Sequence, residues 1–186
     1  ECRHGIGYTC ICGERNGIRA EETFFVPKND NCEIHRIKII NKEDKAKEIK
    51  LFSFVEFCLW DAQDDMLNFQ RNLSTGEVEV ENGIIYHKTE YRERRNHFAF
   101  YSVNADVDAF ETDRDSFLGQ FNGFDSPESV ISGQNKNSVA SGWSPVASHQ
   151  INVKLGANEE KEYIFVLGCI ENEKDKKFKE TGVINK

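Results

Sequence analysis

Glu77-Val78-Glu79-Val80-Glu81-Asn82-Gly83-Ile84-Ile85-Tyr86-His87 is the stretch on which the fold is decided. Glutamate and valine alternate at period two, a two-residue Asn-Gly signal follows, and an apolar run returns. Asn-Gly accepts the positive φ that both central positions of a type I′ turn require, so the stretch predicts a β-hairpin. On either side the same grammar recurs. Residues 17–26, 32–41, 49–58 and 97–103 are short runs rich in β-branched and aromatic residues, bounded by Gly, Asn, Asp and Lys. Thr9 through Cys12, with Gly5, Gly7 and Tyr8 before it, reads as turn and strand.

A second hairpin is expected where Ile151, Val153 and Leu155 alternate with Asn152 and Lys154, Gly156-Ala157-Asn158-Glu159 turns, and 163–167 returns. The returning run is apolar on both faces, which predicts a central strand. Residues 51–57, apolar on both alternating sets, predict a strand held between two layers. One stretch, 171–180, predicts a charged helix or a linker. Many strands at short spacing and little helix give an all-β fold, a large antiparallel β-sandwich with long loops. Between Asp106 and Pro145, Gly, Ser, Asn and Asp accumulate around Phe110, Phe117, Phe121, Phe124 and Trp143. Long loops of this kind carry function or an interface.

The chain of 186 residues, 38% of them apolar, has the size of one domain with a two-layer core. Fourteen Phe against three Pro and one Met exclude a proline-rich or low-complexity linker. A net charge of −8 opposes nucleic-acid binding, which draws its affinity from Lys and Arg. No apolar run approaches the ~20 residues that span a bilayer, and no signal segment opens the chain. The reading is a cytoplasmic protein with neither membrane nor nucleic-acid partner. Because it opens on Glu1 with strand residues, it is expected to be cut from a longer polypeptide. Six cysteines, Cys2, Cys10, Cys12, Cys32, Cys58 and Cys169, are expected as reduced thiols, a domain this size needing no staples. Cys10-Ile11-Cys12 lacks the spacing of a zinc knuckle, so no metal is expected.

Candidate chemistry concentrates in residues 57–72, which hold Trp60, Asp61, Asp64, Asp65, Asn68, Phe69, Gln70, Arg71 and Asn72. Aromatic faces stack on the C–H face of a pyranose, and planar amide and guanidinium groups bond its paired hydroxyls. Gln70 and Arg71 supply the donors, Trp60 or Phe69 a platform, and Asn72 support. The bland alternative places Trp60 and Phe69 in the core and pairs Arg71 with an Asp of the same turn. A glycosidase pair drawn from Glu56, Asp61, Asp64 and Asp65 is disfavoured, because carboxylates neighbouring in one loop seldom stand across a sugar ring in different environments. Arg92, Arg94 and Arg95 form the one basic concentration, interleaved by Glu90 and Glu93, and read as an internally neutralised hairpin end. No phosphate loop, dinucleotide fingerprint, nucleophile elbow or zinc-protease motif is present.

Residues 53–57, 68–72, 74–77 and 86–97, then Phe117-Leu-Gly119, 121–125 and 138–145, together resemble the inverting cellobiose phosphorylases. The resemblance spreads over most of the chain and falls on the N-terminal β-sandwich region of that longer family. It implies phosphorolysis of cellobiose to α-glucose 1-phosphate and glucose, a glycosyltransferase reaction of carbohydrate metabolism. Inorganic phosphate is the co-substrate and no cofactor is needed. In the family, an Asp of an (α/α)6 barrel protonates the leaving oxygen. That barrel is missing here, so no catalytic residue is expected within the chain and the chain alone is expected to be inactive. The resemblance divides the chain into a sandwich over 1–170 and a linker over 171–186 that leads to the barrel. It points to Gln70 and Arg71 as acceptor-sugar contacts and to a homodimer. Other members act on longer glucans, chitobiose or cyclic glucans, and the Gln-Arg pair favours cellobiose. A free-standing carbohydrate-binding module and a structural dimerisation domain are the competing readings.

Overall fold

In the computed structural model, the described residues are 1–57, 76–88, 96–142 and 145–186. The chain runs β1 (Cys2–Gly5), β2 (Tyr8–Arg15), β3 (Ile18–Phe25), β4 (Cys32–Asn41), β5 (Lys47–Phe52), β6 (Val55–Glu56), β7 (Gly76–Glu81), β8 (Ile84–His87), β9 (His97–Val103) and β10 (Ala109–Asp113). It continues through α1 (Arg114–Leu118), α2 (Glu128–Ser132), β11 (Ser141–Gly142), β12 (Pro145–Leu155), β13 (Glu160–Glu171), β14 (Phe178–Glu180) and β15 (Val183–Ile184). Nine strands form one antiparallel sheet in the order β1-β2-β3-β4-β13-β9-β8-β7-β11. A smaller sheet, β10-β12-β5 with β6 also on β12, packs across it.

The hairpin of the opening stretch is present. Val78 faces His87 and Glu81 faces Ile84 across it, with Asn82 at φ 52° and Gly83 at φ 76°, as a type I′ turn demands. Between the sheets lie Ile39, Ile85, Tyr101, Ile151, Val153, Leu155, Tyr163 and Phe165, all buried. Each such apolar side chain contributes about 1.5–3 kcal/mol by leaving water. As its two apolar faces predicted, β13 is central, flanked by β4 and β9.

Three expectations are corrected. The runs 151–155 and 163–167 are not a hairpin: β12 belongs to the small sheet and β13 to the large one, so the turn at 156–159 crosses between layers. Ile151, Val153 and Leu155 therefore meet Tyr163 and Phe165 face to face across the core rather than side by side. The crossing is braced by Asn41, whose amide donates to the carbonyl oxygens of Lys45 (2.7 Å) and Gly156 (2.8 Å). The strand expected over 49–58 breaks at Ser53-Phe54, where Ser53 Oγ accepts from His149 N (3.0 Å); β5 and β6 pair with β12 on either side. Finally, 171–180 is not a helix. Asp175 turns at φ 60° and β14 pairs with β15, which buries Ile184 completely against the outer face of β7.

That contact engages Glu79, which accepts from Ile184 N (2.9 Å) and is flanked by Lys186 (3.0 Å) and Lys88 (3.2 Å). Burial alone would raise its carboxyl, yet the backbone hydrogen bond and the two ammonium groups outweigh it and hold the pKa below the ordinary value.

Candidate functional site

Register places the ends of several strands together. Glu56 of β6 faces Val146 of β12, Gly76 of β7 faces Gly142 of β11, and His87 of β8 faces both Val78 and Ala99. Residues 57, 76, 88, 96, 142 and 145, which flank the three undescribed stretches, are all carried at this one end of the sandwich. Gln70, Arg71, Trp60, Phe69 and Asn72 lie outside the described residues, as do Asp61, Asp64, Asp65, the arginines 92, 94 and 95, and Trp143. Their described neighbours define the base from which those stretches depart.

The base is rigid for an identifiable reason. Glu111, fully buried, accepts at one carboxylate oxygen from Thr112 N (3.0 Å) and Asp113 N (3.1 Å). Its other oxygen accepts from Ser116 Oγ (3.0 Å), Lys136 N (3.2 Å) and Ser138 Oγ (3.3 Å). Thr112 Oγ1 donates to Ser138 O and accepts from Ala140 N, both at 2.8 Å. Asn135 donates through its backbone to Gln150 Oε1 (2.8 Å) and through its amide to Ser148 Oγ (3.1 Å). The segment singled out by composition and expected as long loops carries β10, α1, α2 and β11, and residues 114–140 of it form a hydrogen-bonded shelf fixed to β10 and β12. A buried carboxylate with this many donors is stable where an unpaired one would not be.

On the shelf stands an aromatic group. Phe54, at the break between β5 and β6, packs on Phe117 (4.7 Å between ring centroids) and edge-on to Phe124 (5.4 Å). The Arg114 guanidinium lies 5.7 Å from the Phe124 ring centroid, and its Nε is 2.7 Å from Glu56. Phe121 and Phe124 project into solvent, 94% and 61% exposed. Phe117 and Phe124 were in view as isolated aromatics. Arg114 and Glu111 were missed, since nothing in their sequence surroundings marks a long-range partner. Glu56, weighed as one half of a glycosidase pair, is instead engaged by Arg114.

Behind the shelf His87 is buried and stacked on Phe57, ring centroids 4.9 Å apart. Burial, with the Lys177 charge adding to it, pushes its pKa down to about 4. His149, stacked on Tyr101 at 5.0 Å, is also pushed down to about 4 by burial, which outweighs a smaller opposing contribution from the Gly83 backbone. Both imidazoles are neutral at neutral pH, His87 resting on Phe57 and His149 beside Tyr101 and Phe165. The arrangement offers apolar faces, a guanidinium and hydroxyl-rich loops, the repertoire of carbohydrate recognition.

Residues 1–181 match the glycosyl hydrolase 94 supersandwich domain. An N,N′-diacetylchitobiose phosphorylase of Vibrio proteolyticus is 31% identical over 169 residues, covering 90% of this chain and 21% of that protein. A solabiose phosphorylase of Paenibacillus borealis is 29% identical, covering 90% and 22%. The chain spans about a fifth of the length of these curated relatives. Among solved structures, a human-microbiome protein described as a kojibiose phosphorylase superposes with a TM-score of 0.51 at 12% identity, covering 89% of this chain and 18% of that one. A polysaccharide lyase gives 0.52 at 10%, covering 89% and 22%. These two likenesses establish the fold alone. With the match running from the first strand through the turn beyond β14, the chain belongs to glycosyl hydrolase family 94, as its supersandwich domain.

Proposed function

We propose that this domain is the N-terminal sandwich of an inverting disaccharide phosphorylase that converts cellobiose and inorganic phosphate to α-glucose 1-phosphate and glucose. The observation that carries the reading is the family match over nearly the whole chain, together with disaccharide phosphorylases aligned over 90% of it. The general acid and the phosphate ligands are assigned to a helical barrel outside these residues. Gln70 and Arg71 are assigned to the acceptor sugar, with Trp60, Phe69 and Asn72 as platform and support. Support for this comes from the shelf of Glu111, Thr112 and Ser138, which gives residues 58–75 a fixed base at the end where β6 and β7 open. Homodimeric assembly in the cytoplasm completes the proposal.

The test is phosphate-dependent release of glucose 1-phosphate from cellobiose by the full-length protein, with the anomer read by NMR. Formation of the α-anomer supports inversion; hydrolysis to two glucose molecules without phosphate overturns it. Turnover by residues 1–186 alone would overturn the assignment of the acid to another domain. A second reading, N,N′-diacetylchitobiose as substrate, is favoured by the names of the two Vibrio relatives at 31% and 29% identity. The same assay with the two disaccharides side by side decides between them. If Arg71 bonds the acceptor, Arg71→Ala in the full-length protein weakens kcat/KM by ~1–3 kcal/mol. Unchanged kinetics would make it a structural residue.

A further inference from the structure

The small sheet does not cover the whole of the large one. β1 has no buried residue and β2 none that is fully buried, whereas β4, β13, β9 and β8 carry the core. Where cover gives out, a cleft of about 190 Å³ opens between the layers, walled by Glu22, His35, Ser53, Phe54, Tyr101 and Phe165 among others. Tyr101 and Phe165 form a buried floor and Glu22 and His35 a partly exposed rim. Its described lining holds none of the residues assigned above to the acceptor sugar.

The rim is chemically organised. His35 Nδ1 is 2.8 Å from a Glu22 oxygen and its Nε2 is 3.2 Å from a Glu33 oxygen, so both ring nitrogens meet carboxylates. Phe24 stacks on the ring from the side at 5.6 Å. Each ring nitrogen can donate to the carboxylate that it faces. In accord, the hydrogen bond to Glu22 raises its pKa against the opposing effect of burial. The Glu22 carboxylate makes the mouth acidic, above a buried aromatic floor.

Such a mouth disfavours an anion. It also offers little to a cation, since Glu22, the one acid among the described lining residues, already spends an oxygen on His35. The remaining Glu22 lone pairs accept hydroxyl protons, and the partly exposed Phe54 offers its ring to C–H groups. The volume is on the scale of one sugar ring, below the ~300–1,000 Å³ of drug-sized sites. We infer that the cleft between the sheets is a second carbohydrate site, which takes a single neutral pyranose through the Glu22–His35 rim.

The test is calorimetric titration of the full-length protein with glucose, N-acetylglucosamine, glucuronate and glucosamine, on the wild type and on Glu22→Gln, His35→Gln, Gln70→Ala and Arg71→Ala. A binding event for a neutral sugar that persists in the Gln70 and Arg71 variants and weakens about 10-fold or more in Glu22→Gln supports the inference. His35→Gln, scored against its melting temperature, gives a second arm should Glu22→Gln fold poorly. Saturable binding abolished by Gln70→Ala or Arg71→Ala and indifferent to Glu22→Gln overturns it, as does no second event at all. Tighter binding of glucosamine than glucose would make the cleft a cation site, and equal binding of glucuronate would remove the charge argument; either overturns the neutral-sugar assignment. Because the phosphorolysis assay reads turnover and the titration reads binding through Glu22, failure here leaves that reading standing, and the reverse also holds.

Discussion

Glu111 shows how one side chain can organise a loop of thirty-odd positions: a single buried carboxylate replaces the water that five donors would otherwise need. Removing it strands those donors. Glu111→Ala is expected to cost about 2–4 kcal/mol, read as a lowered midpoint in urea, while Asp125→Ala, exposed in the turn before α2, changes stability little. Equal effects from the two would deny the network its role. The buried histidines set the pH response. Their folded pKa values lie near 4 and the unfolded value is 6.5, so below pH 6.5 the unfolded chain takes up protons that the native state refuses. Stability is complete above 6.5, falls as pH drops towards 4, and changes no further from this source below it. Each imidazole contributes on the order of 3 kcal/mol to that loss. His149→Phe, which keeps a flat ring beside Tyr101 and Phe165, is expected to make the profile of stability against pH between 4 and 6.5 less steep, His87 supplying the remaining slope. An unaltered profile would mean that His149 titrates normally.

Among the elements, the β7–β8 hairpin is the most local and so the most legible. Its turn chemistry and its alternation act within eleven residues, and neither depends on what packs above. Gly83 holds φ 76°, and a Cβ there would meet the Val107 methyl at 3.2 Å. Gly83→Val is expected to cost roughly 2 kcal/mol or more in thermal or urea unfolding, where Asn82→Gly costs well under 1. What could not be read locally was partnership. The runs 151–155 and 163–167 carry every sign of a hairpin, but which sheet a strand joins depends on surfaces more than a hundred residues away, such as Asn41 bracing Gly156. The charge-rich 171–180 looked helical by composition, yet Ile184 and the acceptor row of Glu79 pull it into a strand. Deleting 182–186 should therefore expose β7 and lower the melting temperature, whereas an uncapped helix or loose linker would be lost without effect. The candidate site was legible as composition, in the polar, aromatic loop of 106–145; Glu111 and Arg114 were not, because their partners, Ser138 and Glu56, are distant in sequence.

At the scale of the whole molecule, the mismatch between nine strands and four is the property that matters. The covered part, β4, β13, β9 and β8, holds the core, while β1 and β2 extend from it as a ladder with one fully solvated edge. Such a ladder has backbone hydrogen bonds but little buried apolar area, so it should open without the rest unfolding. Hydrogen exchange tests this directly in the full-length protein. Amides of Tyr8–Arg15 are expected to exchange by local opening, orders of magnitude faster than those of Glu160–Glu171, which exchange only by global unfolding. Adding a neutral sugar should then slow exchange selectively at Glu22 and His35, the strands that carry the rim, and leave β7 and β8 unchanged. Strong protection of β1 and β2 in the free protein would instead mean that another surface already covers them, since an exposed edge strand is a template for pairing. The uncovered strands would then serve assembly, and the cleft beside them would be closed to sugar.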